Sequence, residues 1–419
     1  MNIAHTSTPV TVLPSPHHGG LGITRSLGRL GIPVFNVDPS RWCPSFFSRY
    51  SRGRFRHDLD AVPADESLDA LKKFAQRIGG PSILVPTTDG AARFLADHAG
   101  VLAQDFLFPR QSAPLVHALL SKKEMYALAQ RHCVPAPATL FPQSRTDFLA
   151  APERLGLPLM VKGINADAWN RASKSKVLVR SMAQFLDLYE RVSEAAIPDL
   201  MVQEYIRGKE DTVWMFNGYF DDAAECRAAF TGRKLRQCPI YTGVASLAVS
   251  EKNEAVEQSA VVFMKSLGYS GIVDIDFRYD ARDGKYKILD VNSRLGSTFR
   301  LFVSEEGMDV ARAMYLDLTA QKVPAARVRS GRKWMVEDLD LVASLRYRRD
   351  RALSVRQWLG SLRGIDEISF LAWDDPLPAA LMLRADVREL FSPRRSHAST
   401  VRPFELKSAA APAEKQPCL

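Results

Sequence analysis

A chain of 419 residues with 46% hydrophobic and 25% charged side chains is too long for a single core and too apolar to stay unfolded, so two to four globular units are expected. Its net charge of +9 concentrates at 49–56 and 327–351 with no aromatic stacking motif beside either stretch, so solvated faces or small anions are expected there and nucleic acid is not. No apolar run approaches a membrane span, no basic-then-apolar leader opens the chain, and the five cysteines are scattered without metal-type spacing, so a cytoplasmic protein with free thiols is expected.

Residues 8–115 read as alternating strands and helices. An apolar run over 9–13, a tight loop at Gly19-Gly20-Leu21-Gly22, a helix over 23–30 and a strand over 32–38 that ends in an acid form the opening of an open α/β sheet. The glycines lack the full G-x-G-x-x-G spacing and predict a strand-to-helix turn in preference to a dinucleotide site. A strand over 82–86 leads into Thr87-Thr88-Asp89 at its carboxyl end, where open sheets bind ligands. Asp89 there is either a substrate contact or the N-cap of a helix over 90–98.

A second unit starts near Ser121, whose spacing to Glu124 is that of a capping box for a helix running to about residue 132. Lys122 opens that helix, and Pro135 and Pro137 follow its end. Strands are predicted over 157–162 and 176–180 around a polar loop at 163–175, then over 201–206 and 212–216 on either side of Arg207-Gly208, before an amphipathic helix over 253–267.

Next come two strands of alternating polarity flanking Asp283-Gly284. Asp274, Asp276 and Arg278 share one face of the first strand, and Asp290 and Asn292 share one face of the second. A hairpin turning near Asp283 sets Asp276 roughly opposite Asp290, where cross-strand neighbours lie about 5 Å apart. Carboxylates that close repel unless a cation lies between them. With the amide oxygen of Asn292 they make a hard, all-oxygen set that suits Mg²⁺ on nucleotide phosphates better than zinc. An exposed hairpin carrying ordinary surface acids is the competing reading. Beyond 321 the chain reads as a basic stretch and short helices near 356–362 and 379–390, with Trp334, Trp358 and Trp373 as core aromatics, and a tail from 393 of disordered composition.

Lys122, Lys162, Gln203-Glu204-Tyr205-Ile206-Arg207-Gly208-Lys209-Glu210, Asp276 and Asp290-Val291-Asn292-Ser293-Arg294 follow one another in an order and at separations that resemble the ATP-grasp superfamily over about 116–320. Gly20-Leu21-Gly22-Ile23 and Arg25-Ser26-Leu27-Gly28 resemble its carboxylate-amine ligase branch, the D-aspartate ligase-like part. The resemblance implies an α/β and α+β chain. A Rossmann-like domain would span 1–115 and a two-lobed ATP-grasp fold 116–320, with lobes of about 116–200 and 201–320, then a small accessory region at 321–392 and a tail at 393–419.

It also implies ATP with Mg²⁺, two ions being expected and Mn²⁺ a substitute. Lys122, with Lys123 as competitor, and Lys162 would neutralise the α- and β-phosphates. Gln203, Glu204 and the backbone of Tyr205 and Ile206 would meet adenine, and Glu210 the ribose hydroxyls. Asp276, Asp290 and Asn292 would hold the metal, and Arg294 would stabilise the transferring phosphoryl group or acyl phosphate. The family usually has Glu at the position of Asp290, and a glycine-rich loop where 163–175 carries one Gly with Trp169, Asn170 and Arg171.

Lys234 and Arg236 carry charge suited to a substrate carboxylate or phosphate, a solvated basic strand being the equal alternative. For His17, His18 and Arg300 a structural or surface role is expected. The implied enzyme joins a small carboxylate to an amine, and a homodimer is allowed for. The alternatives are a bicarbonate-activating enzyme similar to carbamoyl-phosphate synthetase or biotin carboxylase, and a regulatory protein that binds ATP without turning it over.

Overall fold

The computed structural model describes residues 3–15, 17–164, 176–192 and 194–383. Most of the polar loop expected over 163–175, the end of the helix expected over 379–390 and the tail from 393 lie outside the described residues. Strands β1 (Val10–Leu13), β2 (Val34–Val37), β3 (Ser51–Phe55), β4 (Ser82–Pro86) and β5 (Phe106–Leu107) form a parallel sheet in the order β3-β2-β1-β4-β5. The order reverses at β1, so the crevice beyond the carboxyl ends of β1 and β4 is the natural ligand side. Asp89 lies just past β4.

One local expectation is corrected here, and one is given a structural place. Gly19 to Gly22 do not form a loop but lie inside the helix His17–Gly28. Their small size serves close packing: a Cβ on Gly20 would fall 2.3 Å from Ser15 Oγ, and one on Gly22 would fall 2.9 Å from Arg300 Cγ. Part of the basic stretch at 49–56 is the edge strand β3, with Arg52 and Arg54 alternating outward to solvent.

The small lobe is an antiparallel sheet of β6 (Thr139–Leu140), β7 (Leu159–Gly163), β8 (Lys176–Val179) and β9 (Leu200–Glu204), ordered β6-β9-β7-β8. The large lobe is built on β10 (Val213–Phe220), β11 (Cys226–Cys238), β12 (Val244–Ser250), β13 (Gly271–Asp280) and β14 (Lys285–Asn292). Strands β15 (Lys333–Met335) and β16 (Ile365–Ile368) of the C-terminal region extend this same sheet, giving the order β14-β13-β10-β11-β12-β15-β16. A Rossmann-like sheet followed by two antiparallel lobes agrees with the fold class expected from the sequence.

The C-terminal region also clasps the first domain. Buried Arg25 pairs with Asp375 at 2.9 Å and donates to the carbonyls of Ser369 and Phe370, while Arg29 and Tyr50 bind Asp374. Trp334 is a core aromatic, but Trp373 is 95% exposed and is not. No helix among the described residues is long and apolar enough to cross a membrane.

Candidate active site

A cavity of about 370 Å³ lies between the small and large lobes, with Asp89 of the first domain at its edge. The hairpin geometry follows the alternation in sequence: Asp276 pairs with Asp290 across β13 and β14, and Asp274 with Asn292. Gly284 supplies the left-handed turn residue at φ +70° that a Cβ would disfavour.

Lys122 reaches this hairpin because its helix, Lys122–Arg131, packs on β14. Met125, Tyr126 and Ala129 share a core with Phe277, Ile288 and Val291, and the Tyr126 hydroxyl donates to the Leu289 carbonyl at 2.9 Å. One turn earlier on the same face, the Lys122 ammonium pairs with Asp290. Lys122, and not Lys123, therefore enters the cavity. On the opposite side the Lys234 ammonium binds Asp276 Oδ2 at 2.7 Å.

Lys162 at the end of β7 faces the same cavity, and Gln203 accepts from its ammonium at 2.8 Å while donating to Thr139. Burial, followed by repulsion from Lys176 and Lys122, lowers the Lys162 pKa to about 7 against a smaller pull from Asp290. For Asp290 burial works toward the neutral form, but Lys122, Lys176 and Lys162 outweigh it and hold the carboxyl below its usual range. Asp274 is pushed up by burial and by its neighbour Asp276.

Asp276, Asp290 and Asn292 are thus brought together as oxygen donors, and the buried Asp274 Oδ1 beside them has no hydrogen-bond partner. This donor set fits Mg²⁺. No group of three or more His, Cys, Asp and Glu side chains converges as a metal cluster among the described residues. Lys122 and Lys234 instead pair with the carboxylates of Asp290 and Asp276.

Arg294 donates to Asp89 Oδ1 at 2.7 Å and to Asn292 Oδ1 at 3.1 Å, tying the first domain to the Asp276–Asp290 hairpin. Asp89 is not the N-cap of its helix: Thr88 is, accepting from the Ala91 amide at 3.2 Å. At the other end, Met160, Ile206, Val213, Met215 and Leu289 make an apolar slot, with Tyr205 beside it. The Tyr205 amide is already donated to the Pro158 carbonyl at 3.1 Å.

Three placements depart from the sequence reading. Glu204 touches the cavity, yet its carboxylate is occupied by the Ala138 amide, Arg282 and Lys287, which overcome the effect of burial and lower its pKa. A carboxylate so engaged braces the two lobes and has little capacity left for adenine. Glu210 does not line the cavity; it lies behind the wall, accepting from the Gln237 side chain, and burial raises its pKa.

Arg236 is turned away altogether. A β-bulge between Lys234 and Arg236 inserts Leu235 unpaired, so Arg236 leaves the face that Lys234 occupies. It forms a buried ion pair with Asp340 of the helix Glu337–Arg349, at 2.7 and 2.9 Å. Asp340→Ala, which strands this guanidinium, is expected to cost about 3–5 kcal/mol of stability in urea unfolding. A loss below about 1 kcal/mol, the range of exposed pairs, would contradict this structural role.

Sequence reasoning missed Lys176, Gln237 and Tyr241, and placed Arg278 on the face of Asp274 and Asp276 without giving it a role; all four also line the cavity. Lys176 is the antiparallel partner of Lys162, so pairing the two strands across the loop could have found it. Arg278 lies 5.3 Å over the Tyr205 ring and donates to the Gly208 carbonyl, fixing the connection between the lobes. His18 packs on Trp334, and Arg300 is buried between Asp309 and Glu367, both structural placements.

No family model matches the chain. It is 24% identical over 275 residues to a D-aspartate ligase of Enterococcus faecium, covering 63% of this chain and 65% of that protein. It is 26% identical over 209 residues to a D-alanine--D-alanine ligase of Neisseria gonorrhoeae, covering 46% of this chain and 64% of that protein. The chain therefore spans slightly less than two thirds of the length of these relatives. Among solved structures, the ADP complex of N5-carboxyaminoimidazole synthetase from Staphylococcus aureus superposes with a TM-score of 0.59 at 14% identity, over 80% of this chain and 82% of that one.

Proposed function

We propose that this chain, which belongs to the ATP-grasp superfamily, is an ATP-dependent ligase that activates a small carboxylate as an acyl phosphate and passes the acyl group to an amine. The observation that carries this reading is the convergence in one cavity of Lys122, Lys162, Lys176 and Lys234 with Asp276, Asp290, Asn292 and Arg294.

In the nucleotide-free site each metal-facing acid is neutralised by a lysine. When ATP enters with adenine in the apolar slot, its phosphates take the lysines and release the acids, so charge balance is kept at every stage. Asp276, Asp290 and Asn292 would hold a magnesium ion, which would supply additional positive charge to the phosphates. A substrate carboxylate oxygen then attacks the γ-phosphorus and the bond to the β-phosphate oxygen breaks, giving acyl phosphate and ADP. Arg294, fixed by Asp89, stabilises the charge on the transferring group. The amine attacks the acyl carbon, phosphate departs and the amine proton is lost to solvent. Gln203 holds Lys162 in place, and Glu210 acts on the ribose through Gln237. No side chain is asked to be a nucleophile, so catalysis is positioning and charge neutralisation.

The test is release of ADP and phosphate by the purified protein with Mg-ATP, across small carboxylates with and without amines. D-aspartate is the first carboxylate to try, given the D-aspartate ligase among the relatives. Release that needs one carboxylate and one amine supports the ligase reading. Release with bicarbonate alone, or nucleotide binding without release under any condition, overturns it.

A further inference from the structure

Next to the phosphate-facing acids, the structure buries polar groups that have no partner. Both amide atoms of Asn217, Oδ1 of Asp274 and the hydroxyl of Ser293 make no hydrogen bond. Buried polar atoms are almost always satisfied, so an unsatisfied one at the wall of a cavity, as Asp274 is, marks a place where a ligand completes the pairing, and Asn217 lies fully buried directly beside it. Asn217 and Asp274 are cross-strand neighbours on β10 and β13. Asn217 is fully buried and projects from the same strand face as Val213 and Met215, which line the cavity as Asp274 does.

Two further facts define what this corner accepts. The nearest cations are committed elsewhere, Lys234 to Asp276 and Arg294 to Asp89 and Asn292, and among the described residues Asp274 has no ion-pair partner. The chain also passes directly over it: a Cβ on Gly296 would fall 2.3 Å from Asp274 Oδ2. Glycine at 296 leaves that oxygen in place, while Oδ1 remains unpaired. A carboxyl group with an unpaired oxygen beside a carbonyl acceptor and an amide donor suits a positively charged N–H donor and disfavours a second carboxylate.

We propose that Asp274 and Asn217 form the subsite for the attacking amine, which enters as a primary ammonium with its N–H groups on Asp274 Oδ1 and the Asn217 carbonyl oxygen, and loses one proton to solvent before its lone pair attacks the acyl carbon. This rests on the ligase reading and deepens it: the acceptor is a cationic primary amine, held beside the Asp276–Asp290 pair where the acyl phosphate forms.

The test uses two nucleophiles with Mg-ATP and the carboxylate that supports ADP release. Glycinamide is largely an ammonium at neutral pH, whereas hydroxylamine is largely uncharged and traps an acyl phosphate as its hydroxamate. In Asp274→Asn the KM for glycinamide is expected to rise at least tenfold, with hydroxamate formation and the Mg²⁺ requirement within about twofold of the parent. Asn217→Leu, which removes only unpaired amide atoms, is expected to show the same split without loss of thermal stability. Equal loss of hydroxamate formation, or a raised Mg²⁺ requirement, would place Asp274 with the metal and overturn the proposal; so would an unchanged KM for glycinamide.

If no carboxylate drives ADP release in the parent protein, it is the ligase reading that has failed, and binding then decides the subsite. Thermal stabilisation of the full chain by glycinamide, in the presence of Mg²⁺ and a non-hydrolysable ATP analogue, is expected in the parent and not in Asp274→Asn. Equal stabilisation of both, or of neither, would overturn the subsite.

Discussion

Replacing Lys162 with methionine is expected to lower kcat/KM for ATP by two to three orders of magnitude, about 3–4 kcal/mol of transition-state stabilisation. The same change should leave the nucleotide-free protein at least as stable as the parent. Both expectations come from one fact: Lys162 is held among Lys122 and Lys176 in a buried site that lowers its pKa to about 7. Near neutrality the nucleotide-free protein is expected to carry this lysine only partly charged. On the proposed reading an incoming triphosphate would supply the counter-charge for this lysine, so ATP binding should take up a proton at and above pH 7.

The direction of each pH effect follows. Nucleotide affinity and kcat/KM for ATP should fall as pH rises above about 7, because more of the free enzyme must first regain that proton. Folding stability should move the other way. An unfolded lysine titrates near 10.4, so between about 7 and 10.4 the unfolded chain binds the extra proton, and this residue's contribution to stability increases with pH through that window. Lys162→Arg keeps its charge throughout and should flatten the alkaline fall in kcat/KM. Calorimetry of ATP binding in two buffers of different ionisation enthalpy measures the proton uptake directly. No uptake in the parent at pH 8, or a methionine variant with near-parental kcat/KM, would remove Lys162 from the phosphate site.

The features legible in the sequence were those encoded locally. Alternation with period two and an Asp-Gly turn placed Asp276 opposite Asp290, and the Ser121–Glu124 spacing placed Lys122 in the first turn of its helix. Features set by a distant partner were not legible. One extra residue at the bulge reverses the face of Arg236, and nothing in 233–238 announces it, because Asp340 lies 104 residues further on. The partners of Glu204 come from the hairpin 78 and 83 residues later. The glycines of the first helix mislead for a related reason: their low helix propensity is overridden by the close approach of Ser15 and Arg300. The outward alternation of Arg52 and Arg54 on β3 was hidden within a stretch whose charge dominated the reading.

On the proposed reading Asp290 would join the metal chemistry to the lysine chemistry, and its replacement by alanine should expose that link. Turnover is expected to fall about a thousandfold, in line with the several kcal/mol that metal-borne charge contributes at a phosphoryl centre. The fall should be partly relieved by raised Mg²⁺ or Mn²⁺, since Asp276 and Asn292 remain. A second effect distinguishes Asp290 from a simple ligand. In the free enzyme it raises the proton affinity of Lys162 and pairs with Lys122, so without it Lys122, Lys162 and Lys176 face one another with one fewer counter-charge. Lys162 should then lose its proton at a still lower pH, and the fall in residual kcat/KM should begin below pH 7. Asp290→Glu lengthens the side chain by one methylene while keeping the charge, and is expected to restore the parental pH profile whatever it does to metal affinity. An alanine variant with the parental Mg²⁺ requirement and the parental pH profile would exclude Asp290 from both roles. A changed Mg²⁺ requirement with an unmoved profile would show that the carboxylate serves the metal alone, and that the low proton affinity of Lys162 is set by burial and by its lysine neighbours.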